Sequence, residues 1–395
     1  MVSEHDVMGN YFVTRYSGLV RKASINNPNM ISEFKPNGLS LAKPTNAGLP
    51  QSTDADTPKL VFPKDHYAHI DAETEWWWHI GTLTAETPNG TRTFGFEINA
   101  AGFPVYTQGQ SFSFTQIMLT DVTNQKHFKH SKAYTYTKDW AQADLSKPWG
   151  AALGKINEDN YAVMTASAAD PTDMHVQAKF MDTDSKTTIV FDLKLKQTGD
   201  PFLVWGTGVL DLGDGKYNFY YSLPNLQASG TILLNEEVFQ VTGITWMDHQ
   251  WGFFGSSEKP VSWGLQDIQF DYPGAPGIPK GRVNISNQHY ASNPLMNNAT
   301  VQMADGTNHL VWLTSANQLG SRVYQDDQGN KYPLDWEVTI PSWGTFFVMT
   351  LFPDQVFPPL VEGGNPVYEG VAIVKGTFLG QAVSGTAWNE LTPGE

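Results

Sequence analysis

The sequence predicts an all-β protein of two antiparallel β-barrel units packed together, with little helix. Three observations lead there: period-two alternation, dense turn signals and an internal echo. Apolar residues alternate at Phe94, Phe96 and Ile98, at Phe112 and Phe114, and at Ile189, Phe191, Leu193 and Leu195, the last set interleaved with Asp192 and Lys194. That is the pattern of strands with one buried face. The 35 Gly and 24 Pro supply frequent turns, among them Pro88-Asn89-Gly90, Gly213-Asp214-Gly215 and Asp326-Asp327-Gln328-Gly329, at intervals suited to meanders. Finally, Val241-Thr242-Gly243-Ile244-Thr245-Trp246-Met247-Asp248 recurs as Val383-Ser384-Gly385-Thr386-Ala387-Trp388-Asn389-Glu390, each copy after a β-rich run. Two similar β-units, each closed by an equivalent last strand, explain the echo. Closure removes free sheet edges, which favours barrels over open sheets.

Taken in order, residues 1–58 are rich in Asn, Pro, Ser and Gly and read as an extended arm. The first barrel is expected over 59–255 and the second over 256–395, with the boundary in the Gly252–Pro260 connection. A chain of 395 residues makes two domains the natural expectation. Helical periodicity is confined to a short candidate around Trp140–Leu145.

Composition excludes several function classes. The net charge is −15, and the 25 basic residues are scattered against 40 acidic ones, which argues against nucleic acid and anionic membranes as partners. With no Cys there is no disulfide, thiolate metal site or cysteine nucleophile. No segment approaches the roughly 20 apolar residues of a membrane-spanning helix. The opening Met-Val-Ser-Glu-His-Asp has no basic region followed by an apolar run, so no signal peptide is expected and a cytoplasmic location is favoured. Oligomeric state cannot be read from the chain.

Three clusters could carry chemistry. In Gly243–Gly252 an extended backbone puts His249 and Trp251 on one face and Trp246, Asp248 and Gln250 on the other. His249 and Trp251 are therefore expected to face a cavity at the junction of the units, with Asp248 turned away. In Asp71–His79, Glu73, Glu75, Trp77 and His79 share a face opposite Thr74, Trp76 and Trp78. Three adjacent Trp cannot all serve one core, so one is expected to line a cavity or the junction. In Trp263–Asp267, Trp263, Leu265 and Asp267 share a face. Burial there would raise the Asp267 pKa and leave a proton donor near neutrality. Each cluster also admits a purely packing role. His66 with His69, and His127 with His130, have a spacing suited to a helix face, but neither pair lies in a helical pattern or brings an evident carboxylate, so no metal site is expected. Phosphate loops, dinucleotide fingerprints and nucleophile elbows are missing, and no cofactor is expected.

Glu73-Thr74-Glu75-Trp76-Trp77-Trp78-His79-Ile80-Gly81-Thr82-Leu83 resembles the acidic, Trp-rich opening of the lipocalin-like carotenoid 1,2-hydratase (hydroxyneurosporene synthase) and AttH-like superfamily. Tyr220–Pro224, Trp246–Gly252, Tyr332–Trp336, Tyr368-Glu369-Gly370 and Ser384-Gly385 extend the resemblance across residues 60–392. It implies two lipocalin-like barrels with a largely apolar cavity near their junction, and a reaction that family membership alone does not fix. The hydratases' His-x-Trp and Tyr-x-Asp pairs fall on His249 with Trp251 and on Leu265 with Asp267, so Leu265 stands where the pattern has Tyr.

The preferred expectation is a cofactor-independent hydratase or lyase acting on a C=C bond of an apolar isoprenoid, prenyl or polyene substrate. Asp267 would donate the proton, Trp251, Trp263 and Trp77 would stabilise the cation, and His249 would handle water, with Glu75 and Leu265 completing the substrate surface. A pericyclase-like cyclase or isomerase and a non-catalytic carrier of apolar ligands are the alternatives.

Overall fold

The computed structural model describes residues 57–104, 111–213, 215–253, 263–291, 294–320, 322–360 and 365–394. The expected arm thus lies almost wholly outside the described residues. The first twelve strands are β1 (Thr74–Thr87), β2 (Gly90–Phe103), β3 (Phe112–Asp121), β4 (Lys126–Thr135), β5 (Gly150–Leu153), β6 (Tyr161–Ala166), β7 (Asp173–Met181), β8 (Thr188–Gln197), β9 (Phe202–Leu203), β10 (Val209–Gly213), β11 (Lys216–Leu234) and β12 (Glu237–Gly252). They form one antiparallel sheet in the order β4-β3-β2-β1-β12-β11-β8-β7-β6-β5, with β9 and β10 added along β11. The remaining strands are β13 (Gly264–Tyr272), β14 (Gly281–His289), β15 (Asn298–Gln302), β16 (Asn308–Trp312), β17 (Ser315–Gln318), β18 (Val323–Gln325), β19 (Lys331–Pro333), β20 (Asp335–Ile340), β21 (Gly344–Thr350), β22 (Val356–Phe357), β23 (Val367–Phe378) and β24 (Gln381–Leu391). Most of them build a second sheet, β16-β15-β14-β13-β24-β23-β21-β20-β17, with β22 along β23 and β18–β19 as a separate hairpin.

Each sheet curls around its own core. Phe94, Phe96, Ile117, Phe191, Leu193 and Tyr221 lie in the first, and Ile268, Phe270, Trp336, Phe346 and Tyr368 in the second. The echoed segments occupy equivalent places. β12 lies between β1 and β11, and β24 lies between β13 and β23, so in both units the last strand pairs with the first.

Among the described residues the helices are short 3-10 turns at Lys64–His66, Val204–Gly206 and Pro294–Met296, none long and apolar enough to cross a membrane. The helix expected around Trp140–Leu145 is replaced by turns and an Ala141–Ala151 bridge. Asp144 explains this, because its carboxylate accepts the Ser146 backbone N–H at 2.9 Å and the Ser146 hydroxyl at 2.7 Å. Such local bonds compete with helical ones.

A third apolar cluster, with Ile80, Met118, Trp246, Met296, Phe357, Val371 and Trp388, forms a seam between the two sheets. The sheets approach closely there. A Cβ on Gly95 of β2 would stand 2.5 Å from the Val371 Cβ of β23, so only glycine permits the contact. Polar links cross the seam as well: the Trp205 N–H donates to Thr300 Oγ1 at 2.9 Å, and the Thr120 hydroxyl donates to Gln355 Oε1 at 2.8 Å. The central strands β1 and β12 are consequently covered on both faces, by the first core on one side and by the seam on the other.

Candidate active site

The alternation of β12 sends Met247, His249 and Trp251 into the first barrel and Trp246 and Asp248 into the seam. The expected placement is therefore reversed: His249 and Trp251 face the barrel interior, and Asp248 faces the junction. The seven sequence-predicted residues divide in the same way. Glu75, Trp77, His249 and Trp251 meet inside the first barrel. Trp263, Leu265 and Asp267 share the seam face of the β13 end. Of the three adjacent Trp, Trp77 is wholly buried in the barrel, while Trp76 and Trp78 are half-buried on the opposite face.

The barrel group is a hydrogen-bonded chain that sequence reasoning found only in part. Glu75 Oε1 lies 2.8 Å from His249 Nε2 and 2.8 Å from His69 Nδ1. Glu75 Oε2 accepts the His69 backbone N–H at 2.8 Å, and Asp65 Oδ1 lies 3.5 Å from His69 Nε2. On the other side His249 Nδ1 is 3.2 Å from the Tyr221 hydroxyl, which also bonds His66 Nδ1. Burial holds the His249 imidazole down at about 4, although Glu75 opposes this. Burial alone would raise the Glu75 carboxyl, but the bonds from His249 and His69 outweigh it and keep the carboxyl below its ordinary value. Indole faces fix the rings: His69 stacks on Trp251 at 4.0 Å and His249 on Trp77 at 4.3 Å. His66 and His69 were set aside for want of a helix and a carboxylate. In the structure the two part ways: His69 bonds Glu75, six residues on, while His66, at the end of the 3-10 turn, bonds the Tyr221 hydroxyl.

The seam group is the electrostatic opposite. Five carboxyls, Glu97, Asp248, Asp267, Glu369 and Glu390, lie in or against it, and among the described residues none forms an ion pair with Lys, Arg or His. Indoles and hydroxyls serve most of them. Asp248 Oδ1 accepts from Trp246 Nε1 at 2.8 Å and from the Ser222 hydroxyl at 2.5 Å. Glu369 accepts from Trp388 Nε1 at 2.7 Å, and Glu390 from Trp263 Nε1 at 2.7 Å. Asp267 differs, for it is 3% exposed and neither carboxyl oxygen has a partner at good hydrogen-bonding geometry. Burial and then the neighbouring Asp248 drive its pKa well above the usual carboxylate range, which its cross-strand neighbour Ser286 offsets only in part. Burial likewise lifts Glu390, to about 7. Leu265 is the strand partner of Glu390, and Trp388 that of Asp267.

Space at the junction departs from the expected apolar cavity. Trp246 and Trp388 fill the seam, leaving about 10 Å³ beside Asp267, between Ile80 and these indoles. That is room for about one water. A larger cleft of about 460 Å³ between the units has a mainly polar lining, with Asp200, Asn225, Asp271, Arg282 and Asp305. A half-buried aromatic shelf of Trp76, Trp78, Phe103 and Phe112 lies at one end of the first sheet, its rings 5.3 to 6.4 Å from one another or from Phe114.

Comparison with known proteins agrees with this architecture. The dehydratase asqC of Emericella nidulans is 24% identical over 241 residues, covering 60% of this chain and 63% of that protein. Kievitone hydratase of Fusarium solani subsp. phaseoli is 25% identical over 206 residues, covering 50% and 55%. The matched stretches therefore span less than two thirds of either relative. Among solved structures, an AttH-type protein from Nitrosomonas europaea shares the fold with a TM-score of 0.63 at 23% identity, covering 85% of this chain and 98% of that one. Kievitone hydratase from Nectria haematococca does so with a TM-score of 0.63 at 16% identity, covering 85% and 94%. A model of the AttH-like family matches residues 53–393, most of the chain, and the protein belongs to that family.

Proposed function

We propose that the protein is a hydratase or dehydratase that adds water to, or removes it from, a carbon–carbon double bond of a prenyl or polyene compound, with the seam as its reaction centre; the substrate must part Trp246 and Trp388 to reach Asp267, because the space there holds about one water. The observation that supports this most is the Asp267 carboxyl, buried beside two indoles with no partner at good hydrogen-bonding geometry. An unsatisfied buried polar group costs about 1–3 kcal/mol, so packing alone gives no reason to keep it. A carboxyl whose pKa is pushed well above the usual range keeps its proton to higher pH and can donate it. The names of the relatives, a dehydratase and a hydratase, fit the same reaction class.

In the hydration direction, Asp267 gives its proton to one alkene carbon, leaving a carbocation at the other and a carboxylate on Asp267. The faces of Trp246 and Trp388 stabilise the cation by about 0.5–2 kcal/mol each. Water adds to the cation and loses a proton to Glu390, whose pKa of about 7 leaves it partly ionised near neutrality. Return of that proton to Asp267 resets the site, and dehydration runs the steps backwards. Trp263 orients Glu390 through its 2.7 Å hydrogen bond, and Leu265 forms an apolar wall. The aromatic shelf suits the hydrocarbon tail. On this reading His249 is not the base, because it faces the other side of β12.

The test is Asp267→Asn against wild type, with a panel of prenylated and polyene compounds in deuterated, oxygen-18 water. Wild type should place both labels in a hydration product, and Asp267→Asn should keep the fold but lose at least about 10² in rate. Turnover within about tenfold of wild type in Asp267→Asn would sink the assignment. A cyclised product free of solvent label would favour the pericyclic alternative, and binding without turnover the carrier.

A further inference from the structure

The barrel cluster is unused by the seam chemistry and has a donor set of its own. His69 Nδ1, Glu75 Oε1 and His249 Nε2 all lie within 4.8 Å of one another. We propose that His69, Glu75 and His249 bind a divalent first-row transition ion, with zinc the best fit, inside the mouth of the first barrel.

Two imidazoles and a carboxylate are a common three-ligand set for such ions, and a fourth position is left for water. The stronger evidence lies one layer out. Metal-bound histidines almost always engage their second ring nitrogen with a carboxylate, carbonyl or comparable group, which fixes ring and tautomer. Both do so here. His69 Nε2 lies 3.5 Å from Asp65 Oδ1, and His249 Nδ1 lies 3.2 Å from the Tyr221 hydroxyl. The remaining oxygen of Glu75 takes the His69 backbone N–H at 2.8 Å, so one carboxylate oxygen is left facing the two imidazoles. Stacking on Trp251 and Trp77 sets both ring planes before any ion arrives.

Ligand atoms around a tetrahedral ion with bonds of about 2.0–2.1 Å stand about 3.4 Å apart, against 2.8 Å for the two nitrogen–oxygen contacts here. His69, whose side chain is 23% exposed, leaves an approach from solvent. Binding would replace the two imidazole–Glu75 hydrogen bonds by metal bonds, with the ring proton of each imidazole held on the nitrogen that faces Asp65 or the Tyr221 hydroxyl. The ion would then tie the segment ahead of β1 to β1 and β12.

The experiment uses the full chain, purified without chelator or a polyhistidine tag. Elemental analysis should find about one equivalent of metal per chain and identify it as zinc or iron. After chelation, titration with Co²⁺ should give the visible bands of a low-coordinate nitrogen and oxygen site, and Zn²⁺ should raise the thermal midpoint. His69→Ala should weaken Zn²⁺ binding by at least about 100-fold and Asp65→Asn by about 10–100-fold, whereas His175→Ala, on the outward face of β7, should leave it unchanged. A folded protein that carries no metal and takes up neither Zn²⁺ nor Co²⁺ would overturn the proposal. So would equal Zn²⁺ affinity in wild type and His69→Ala. If His69→Ala does not fold, unchanged affinity in Asp65→Asn overturns it in the same way.

Discussion

The two units repeat one closing strand pair, and at one position the copies differ in kind. Ile80 stands opposite Trp246 on β1 and β12, and Asp267 stands opposite Trp388 on β13 and β24. Both side chains line the same small cavity. The first copy demonstrates that an aliphatic residue satisfies this packing position. The second copy holds an acid there with no partner at good hydrogen-bonding geometry, which ordinary packing does not require. A residue that departs from its own internal counterpart, at a cost in stability, is the strongest pointer to function that a single chain can offer.

The comparison can be broken most forcefully by Ile80→Asp, which puts an acid in both copies. It forfeits about 1.5–3 kcal/mol of burial and adds a sixth carboxyl to a layer whose acids form no ion pair among the described residues, so a loss of about 4 kcal/mol is expected in denaturant unfolding. A loss below about 1 kcal/mol would mean that the seam is wet and the contrast between the copies empty. The reverse change, Asp267→Ile, should remove at least about 10² in turnover while leaving stability equal or up to about 2 kcal/mol higher. Unfolding and labelled-water assays on one preparation would separate the two effects.

Proton linkage sharpens the same contrast. Carboxyls whose folded pKa is raised contribute stability that is present at low pH and lost as pH climbs through the folded value. Glu390, lifted to about 7, and Glu97, Asp267 and Glu369, lifted well above their ordinary values by burial, act in this direction. Buried His79 and His127, each held down at about 3, act oppositely, but only below about pH 6.5. Thermal stability should therefore decline from about pH 6.5 upward, by about 1.4 kcal/mol per pH unit for each extra proton the folded chain holds. The decline should be shallower in Asp267→Ile; an equal slope would show that Asp267 is not protonated in the fold. The smallest expected effect is that of Trp388→Phe. It removes the indole N–H from Glu369 and should cost about 1 kcal/mol in the same unfolding assay.

Where one face of a strand meets solvent, the sequence was easy to read. In β8, Ile189, Phe191, Leu193 and Leu195 are buried and the residues between them are not. The echo at Trp246 and Trp388 likewise falls on strands of equivalent pairing. Sequence reasoning separated the faces of β12 correctly but pointed them the wrong way, because a strand buried on both sides carries no signal of which side is which. Asp267 was found, but Glu97, Glu369 and Glu390 escaped for a related reason. Glu97, flanked by Phe96 and Ile98, resembles an outward-facing residue of an alternating strand, and only the second sheet makes that outward face an interior. His66 and His69 lie ahead of the first strand, and although Glu75 is only six residues beyond His69, nothing local announces that Tyr221 and His249 will close over them.

Pairing each unit's last strand with its first has a consequence beyond chemistry. Thr74 is the register partner of Gly252, and Gly264 that of Leu391, so the chain of each unit returns to its own starting point. Spliced at those neighbouring ends and reopened at a hairpin such as Pro88–Gly90, a unit would keep the pairing of every strand. The order of strands along the chain is then one linear cut of a ring, and circular permutation is a change this architecture is built to tolerate.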